Sequence, residues 1–316
     1  MEFALAKRNL CVLLAGAILT LTVGNFIYAQ DPTGRIIGTA SDAQGAGIPG
    51  VVVAVTNVTT QVSKKTETNK EGFYQILDLP IGSYKVTMEH QDFRQLVFEN
   101  QVLQINQSLR IDGKMELGAR SEIVEVKDQV SVVETVDPTI GGSVTGRTLT
   151  DMPLNGRNTL SLALLQPGVS NTNDGDTGSG QGYNIAGGRS DSITYLLDGG
   201  LNNENLGNGV VYNPNPDTIA EFRILENNYT AEYGRNGGGI ITEVVKSGTN
   251  EWHGSAFDYI RNGDFNANSF FNKNDPNNLL PRDTLRRNQY GGTFGGPITI
   301  PKVVHGKDRF FFFVGY

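Results

Sequence analysis

Apolar and polar positions alternate with a period of two through much of this chain, which predicts strands. Over 31–118, Arg35-Ile36-Ile37-Gly38-Thr39-Ala40, Val51-Val52-Val53-Ala54-Val55-Thr56, Phe73-Tyr74-Gln75-Ile76 and Lys85-Val86-Thr87-Met88-Glu89 each read as one strand. Gly47-Ile48-Pro49-Gly50 and Asn69-Lys70-Glu71-Gly72 read as turns between them. The β-branched run at 51–56 predicts a strand buried on both faces. Frequent turns between short strands predict a small antiparallel sandwich.

From about residue 130 the period changes to a mixed α/β pattern with long loops. Thr159-Leu160-Ser161-Leu162-Ala163-Leu164-Leu165 predicts a short helix, ended by Pro167-Gly168. The stretch 171–182 is polar and glycine-rich and predicts a mobile loop. Asn184-Ile185-Ala186-Gly187-Gly188-Arg189 and Ile193-Thr194-Tyr195-Leu196-Leu197-Asp198-Gly199 predict a strand, a turn and a strand. Residues 217–225 predict a short helix passing into a strand. Gly237-Gly238-Gly239 then feeds the β-branched run Ile240-Ile241-Thr242-Glu243-Val244-Val245 and a Ser247-Gly248-Thr249-Asn250 turn. Glycines lack Cβ, so this cluster predicts a sharp turn or a close backbone approach.

A third pattern begins near Trp252. Asn288, Tyr290, Gly292, Phe294, Gly296 and Ile298 share one face, and Gln289, Gly291, Thr293 and Gly295 share the other. That is the apolar-out, small-or-polar-in alternation of a transmembrane β-strand. Trp252, Phe257 and Tyr259 are expected in an interfacial aromatic girdle, and a third strand is expected after Asp308. A soluble sandwich is the other reading, but its exposed aromatic edge would aggregate.

Composition narrows the picture. Hydrophobic residues make up 38% of 316, low for one large core, whereas 39 glycines suit turn-rich β structure. A net charge of −7 argues against a nucleic-acid partner. Lys7 and Arg8 precede an apolar run over 10–23, and Ile27-Tyr28-Ala29 ends in a small residue. Residues 1–29 therefore read as a secretory signal peptide cleaved before Gln30, with an anchoring helix as the alternative. Cys11 is the only cysteine and falls in that leader, so no disulfide is expected.

Several motifs resemble known families. Gly38 with Ile48-Pro49-Gly50-Val51, Glu71-Gly72-Phe73-Tyr74, and Leu79-Pro80 with Gly82 and Tyr84 resemble the carboxypeptidase regulatory-like domain, a transthyretin-like β-sandwich without peptidase chemistry. Tyr84 is read as a packing and corner residue. The run from Asn228 through Tyr233-Gly234-Arg235 to Asn250, with the motifs before it, resembles the plug of TonB-dependent outer-membrane receptors. Trp252-His253-Gly254-Ser255-Ala256-Phe257, next along the chain, resembles the first strand of their barrel. The resemblance implies a mainly β chain: a sandwich at 30–120, a linker at 121–129, a mixed α/β plug at 130–250, and the first strands of an incomplete barrel at 251–316. Barrels have at least about eight strands, so three cannot close, and an open edge leaves backbone groups unpaired in lipid. The chain is therefore expected to be the N-terminal part of a longer receptor or a truncated product.

The same resemblance supplies site residues and partners. Glu122, Ile123, Val124, Glu125 and Val126 resemble a TonB box, which adds as a strand to TonB; an ordinary edge strand or linker is the equal alternative. TonB with its ExbB/ExbD complex is the expected partner, with the N-terminal domain in the periplasm and the barrel in the outer membrane. Arg157, Arg189, Glu232 and Arg235 are candidates for plug–wall ion pairs. The loops 171–182 and 202–215 are expected to face an extracellular ligand, with side chains suited to a carbohydrate or peptide.

Enzyme chemistry finds no support. His90, His253 and His305 are far apart in sequence, so neither a catalytic triad nor a zinc site is expected. Gly178-Ser179-Gly180-Gln181-Gly182 lacks the Gly-Lys-Ser/Thr ending of a phosphate loop. Asn173-Asp174-Gly175-Asp176 offers oxygen donors for calcium but lacks the later acidic ligand. No cofactor or metal is expected. The rival function is a secreted or periplasmic carbohydrate-binding or docking module without transport.

Overall fold

The structure of the chain is a computed structural model, and it describes residues 32–118, 123–126, 138–171, 182–234, 237–268, 270–273, 280–282, 284–299, 302 and 305–316. The expected leader, Glu122, Arg235 and the oxygen donors at 173–176 lie outside the described residues. The described chain is mainly β, in three successive parts.

The first part is a sandwich. Its strands are β1 (Thr33–Ser41), β2 (Val52–Asn57), β3 (Ser63–Glu67), β4 (Phe73–Pro80), β5 (Gly82–Glu89), β6 (Gln95–Leu103), β7 (Ser108–Arg110), β8 (Gly113–Lys114) and β9 (Ile123–Val126). One sheet runs β4-β1-β7 with β8 beside β1; the other runs β3-β2-β5-β6-β9. Alternate residues point inward: Ile36 and Ala40 from β1, Val53 and Val55 from β2, Tyr84, Val86 and Met88 from β5. Each of the buried Ile, Val and Met side chains contributes roughly 1.5–3 kcal/mol by leaving water. The expected two-sided burial of 51–56 does not occur. Val52, Ala54 and Thr56 are only half-buried, because an antiparallel sheet covered on one side leaves its other face to solvent.

Turn chemistry sets the register. Asn69 Oδ1 accepts the backbone N–H groups of Glu71 and Phe73, and Gly72 takes a φ of 76° that L-residues avoid. The Tyr84 hydroxyl donates to the Pro80 carbonyl oxygen at 2.6 Å, making the corner expected of it. β6 is not legible in the alternation. Leu96, Val97 and Phe98 are buried in succession, the pairing with β5 shifts between Tyr84 and Val86, and Asn100 has a positive φ. Such a bulge breaks the period of two.

The second part is built on a five-stranded sheet ordered β10-β15-β16-β13-β14. Its strands, with the separate hairpin β11–β12, are β10 (Ile140–Thr145), β11 (Val169–Asn171), β12 (Tyr183–Ile185), β13 (Thr194–Leu197), β14 (Gly200–Leu201), β15 (Ile219–Asn227) and β16 (Ile240–Val245). The expected helix at Thr159–Leu165 is a 3-10 helix, capped by Asn158 accepting from the Leu160 N–H. It covers one face of the sheet, where Phe222, Ile224 and Ile241 join Leu160 and Leu162 in a core. The glycine cluster serves close approach: a Cβ at Gly238 would meet the Ser192 carbonyl oxygen, and one at Gly239 the Ile185 side chain.

The third part is a sheet of β17 (His253–Asn262), β18 (Arg286–Pro297) and β19 (Phe311–Gly315), paired antiparallel in that order and not closed. Trp252 stacks on Phe294 with ring centroids 5.4 Å apart and meets Phe312 edge-on at 5.7 Å. Phe257 and Tyr259 do not join this cluster, contrary to the expected girdle. They differ from Trp252 in parity, so the pleat turns them to the opposite face of the sheet.

Candidate functional site

Among the described residues three sets of contacts link these parts, and each grows out of a short local structure. The first is between the second part and the wall sheet. Residues 155–157 form a tight turn, with Gly156 at φ 70° and Arg157 at φ 57°. That turn aims the Arg157 guanidinium inward. It pairs with Asp217, whose carboxylate is nearly as buried, and donates to Asn215 Oδ1 at 3.2 Å. Asn215 also caps the turn carrying Asp217 by accepting its N–H at 3.1 Å. The same guanidinium lies 4.1 Å from the Tyr259 ring centroid and 5.0 Å from that of Phe257, both on β17. A planar cation over aromatic faces gains from the ring quadrupole, more so when desolvated. Arg261 donates to Asn155 Oδ1, and Gln289 Nε2 donates to the Gly156 carbonyl at 3.2 Å. Beside these contacts lies an open cleft of about 400 Å³, lined in part by Tyr212, Asn213, Asn215 and Tyr290.

Of the other expected plug–wall residues, Arg189 is largely exposed and pairs with Asp191, two positions along. Glu232 lies in a single 3-10 turn, Ala231–Tyr233. Of the two whose side chains are described, Arg157 and Arg189, the structure brings Arg157 against the wall strands.

The second contact is between the sandwich and β15. Leu103 ends β6, and residues 104–107 make a turn: Gln107 N–H donates to the Gln104 carbonyl, and Asn106 takes a positive φ. Ile105, at the turn's tip, is 1% exposed. Its backbone N–H donates to Glu221 Oε2 at 3.0 Å, and its carbonyl oxygen accepts from Arg223 Nη1. Glu221 and Arg223 are two apart on β15 and share the face opposite Phe222 and Ile224. Burial pushes the Glu221 carboxyl up to about 7, against the lowering effect of the Ile105 N–H and the Arg223 charge. Glu243 on β16 is also pushed up to about 7 by burial, partly opposed by its hydrogen bond with Thr159.

The third contact joins the sandwich to the base of the wall. Asn57 Oδ1 accepts from Thr59 N–H, Thr59 Oγ1 and Thr60 N–H, shaping the β2–β3 turn. That turn presents two carbonyls to Asn250: the Asn250 backbone N–H reaches Thr59 at 3.3 Å, and its Nδ2 reaches Thr60 at 3.0 Å. Asn250 also exchanges hydrogen bonds with Asp308, which precedes β19. No sequence signal marks Glu221, Arg223 or Asn250 as interdomain residues, since each contact joins segments remote along the chain.

Ile123, Val124, Glu125 and Val126 form β9, pairing parallel with β6 in the register Gln95↔Ile123 to Phe98↔Val126. The segment is thus an edge strand of the larger sandwich sheet, with Val124 packed against its core. Among the described residues no group of three or more His, Cys, Asp or Glu side chains is placed to hold a metal ion.

Matches to known proteins fall along the same three parts. A family model described as "Carboxypeptidase regulatory-like domain" matches residues 35–116, one described as "TonB-dependent Receptor Plug Domain" matches 139–240, and one described as "Outer membrane beta barrel domain" matches 244–316. The TonB-dependent transporter Oar of Myxococcus xanthus is 28% identical over 98% of this chain, which spans 28% of that protein's length. Two solved structures align in part. The outer membrane transporter YddB from Escherichia coli is 18% identical with a TM-score of 0.40, over 50% of this chain and 24% of that one. The siderophore receptor PirA from Acinetobacter baumannii is 20% identical with a TM-score of 0.37, over 54% of this chain and 24% of that one. Residues 35–116, 139–240 and 244–316 thus match, in order, a regulatory-like domain, a TonB-dependent receptor plug and an outer-membrane β-barrel, and the chain is similar to TonB-dependent transporters.

Proposed function

We propose that this chain contributes the periplasmic and gating portion of an outer-membrane receptor for energy-coupled uptake. In this reading the sandwich lies in the periplasm, the plug fills the barrel lumen, and the segment from Glu122 to Val126 engages TonB, energised by ExbB/ExbD. The observation that most supports it is the Arg157 contact. A guanidinium paired with Asp217 and seated on Tyr259 and Phe257 ties the plug to the wall through polar and cation–π contacts, which can be broken and remade when water enters. The ligand reaches the plug from outside, with the loop at 202–215 contributing amide and phenol groups suited to a carbohydrate or peptide. The reading is of a transport protein, and no catalytic role is assigned to any residue.

The carbohydrate-module alternative gains nothing from the outer face of the larger sandwich sheet. The cleft there is lined by Thr56, Ser63, Lys65, Lys85, Thr87 and Gln95, among others, and no aromatic ring in its lining offers a platform for a sugar. The deciding experiment is site-specific crosslinking to TonB in the full-length receptor, before and after replacing Glu122–Val126 with glycines. Loss of the crosslink is expected. An undiminished crosslink would place the TonB contact elsewhere.

A further inference from the structure

Among the described residues, hydrogen bonds join the sandwich to the rest of the chain at two separated points, and a third feature connects one of them to β9. At the first point, both polar backbone groups of Ile105 are taken by side chains of plug strand β15, the N–H by Glu221 and the carbonyl by Arg223. At the second, Asn250 holds the Thr59 and Thr60 carbonyls on one side and Asp308 on the other, joining the β2–β3 turn to the base of the wall. The connecting feature is β6. It carries β9 along its first half, in register from Gln95 to Phe98, and runs at its other end through Leu103 into the Ile105 turn. Ile105 is buried, and its clasp is formed by ionisable groups that lose much of their stabilisation if only one partner withdraws.

We propose that the sandwich is a strap, fastened to plug strand β15 at Ile105 and to the wall base at Asn250, and that displacing β9 loosens it at the Ile105 clasp. The strap holds plug and wall together through a domain that belongs to neither. A pull on β9 acts on β6, and β6 delivers it to Ile105, whose partner Glu221 lies 116 residues further along the chain. Unfastening this one buried turn removes the sandwich's hold on the plug without melting the plug's own sheet, and leaves the Arg157 contact as the plug's remaining tie to the wall. The inference rests on the receptor reading for the meaning of the pull on β9.

The test is residue-resolved hydrogen exchange on the full-length receptor extracted from outer membranes, comparing Val124→Pro, Asn250→Ala and Glu221→Gln with the parent. Val124→Pro removes a backbone donor from β9, Asn250→Ala removes the side-chain bonds at the wall base, and Glu221→Gln keeps an acceptor for the Ile105 N–H. The strap requires that Val124→Pro and Asn250→Ala each speed exchange of the Ile105 amide by about tenfold or more, and that exchange over residues 155–159 rises with it. Glu221→Gln is expected to stay within about threefold of the parent. If each change speeds exchange only around its own site, the two contacts are independent and the strap is overturned. Should Val124→Pro fail to fold, Asn250→Ala decides whether the two fastenings are coupled, and Val124→Gly, which removes the packing of β9 on the core, decides whether β9 loosens the clasp. A heat-modifiable outer-membrane band with uncoupled exchange overturns the strap only. Absence of any such band overturns the receptor reading, and the strap with it.

Discussion

Glu221 Oε2 accepts the backbone N–H of Ile105 at 3.0 Å, so a plug strand and a sandwich turn share a buried hydrogen bond. The glutamate is 2% exposed, and its second oxygen has no hydrogen-bond partner among the described residues. Arg223 occupies the Ile105 carbonyl from the same strand face. Two side chains thus satisfy both polar backbone groups of one residue at a domain boundary, where leaving either unpaired costs about 1–3 kcal/mol.

Burial of glutamates without full pairing makes stability depend on pH. Glu221 and Glu243 are each raised from 4.5 to about 7 in the fold. Between those values the folded state binds more protons than the unfolded state. The contribution of these two groups is therefore greatest below about pH 4.5 and is lost as pH rises to about 7. Glu243→Gln is expected to flatten this slope and to raise stability above pH 7 by about 1–2 kcal/mol. Urea unfolding followed by circular dichroism from pH 5 to 8 checks it, and an unchanged slope in the variant would count against the assignment.

Arg157 supplies charge to Asp217 and a planar face to Tyr259 and Phe257. Arg157→Ala leaves a buried carboxylate alone, at a cost of about 3–5 kcal/mol. Arg157→Lys keeps the charge but loses the plane, and should fall between alanine and parent. Adding Asp217→Asn to Arg157→Ala should recover part of the loss, which a double-mutant cycle on the unfolding midpoint measures.

Tyr84 closes the corner of the sandwich through its hydroxyl on the Pro80 carbonyl, while its ring lies in the core. Tyr84→Phe keeps the ring and removes the donor. A loss of about 1 kcal/mol is expected in the same unfolding assay. A loss several times larger would mean that the ring itself has been displaced.

The two faces of β18 should respond differently to charge. Phe294 stacks with Trp252 and packs on Phe312, whereas Thr293 meets Ser255 at 2.7 Å on the face that also carries Gln289 to the plug. Phe294→Lys is expected to cost up to about 2–4 kcal/mol if that face meets lipid, and less near an interface. Thr293→Lys should be tolerated better. The fraction of receptor recovered as a heat-modifiable band in outer membranes compares the two.

Much of this is legible along the chain. The alternation over 288–298 assigns the faces of β18, and the glycines at 237–239 announce a close approach that Ser192 and Ile185 explain. The departures have definite causes. Residue type groups Phe257 and Tyr259 with Trp252, although their odd positions turn them toward Arg157. β6 escapes a reading by alternation because a bulge and the positive φ at Asn100 interrupt its period. Glu221 and Arg223 alternate with the apolar Phe222 and Ile224, and charged residues in that pattern ordinarily face water rather than a second domain.

By itself, the sequence determined the kinds of element and the order of the three parts, because period, turn residues and glycines act over a few neighbouring positions. Only the tertiary structure decided what those parts hold. Ile105 meets Glu221 and Arg223, Thr60 meets Asn250, β9 lies on β6, and Arg157 reaches Tyr259. Each joins segments remote in sequence through hydrogen bonds, ion pairs or ring contacts that leave no local periodicity, so their partners exist only once the chain has folded.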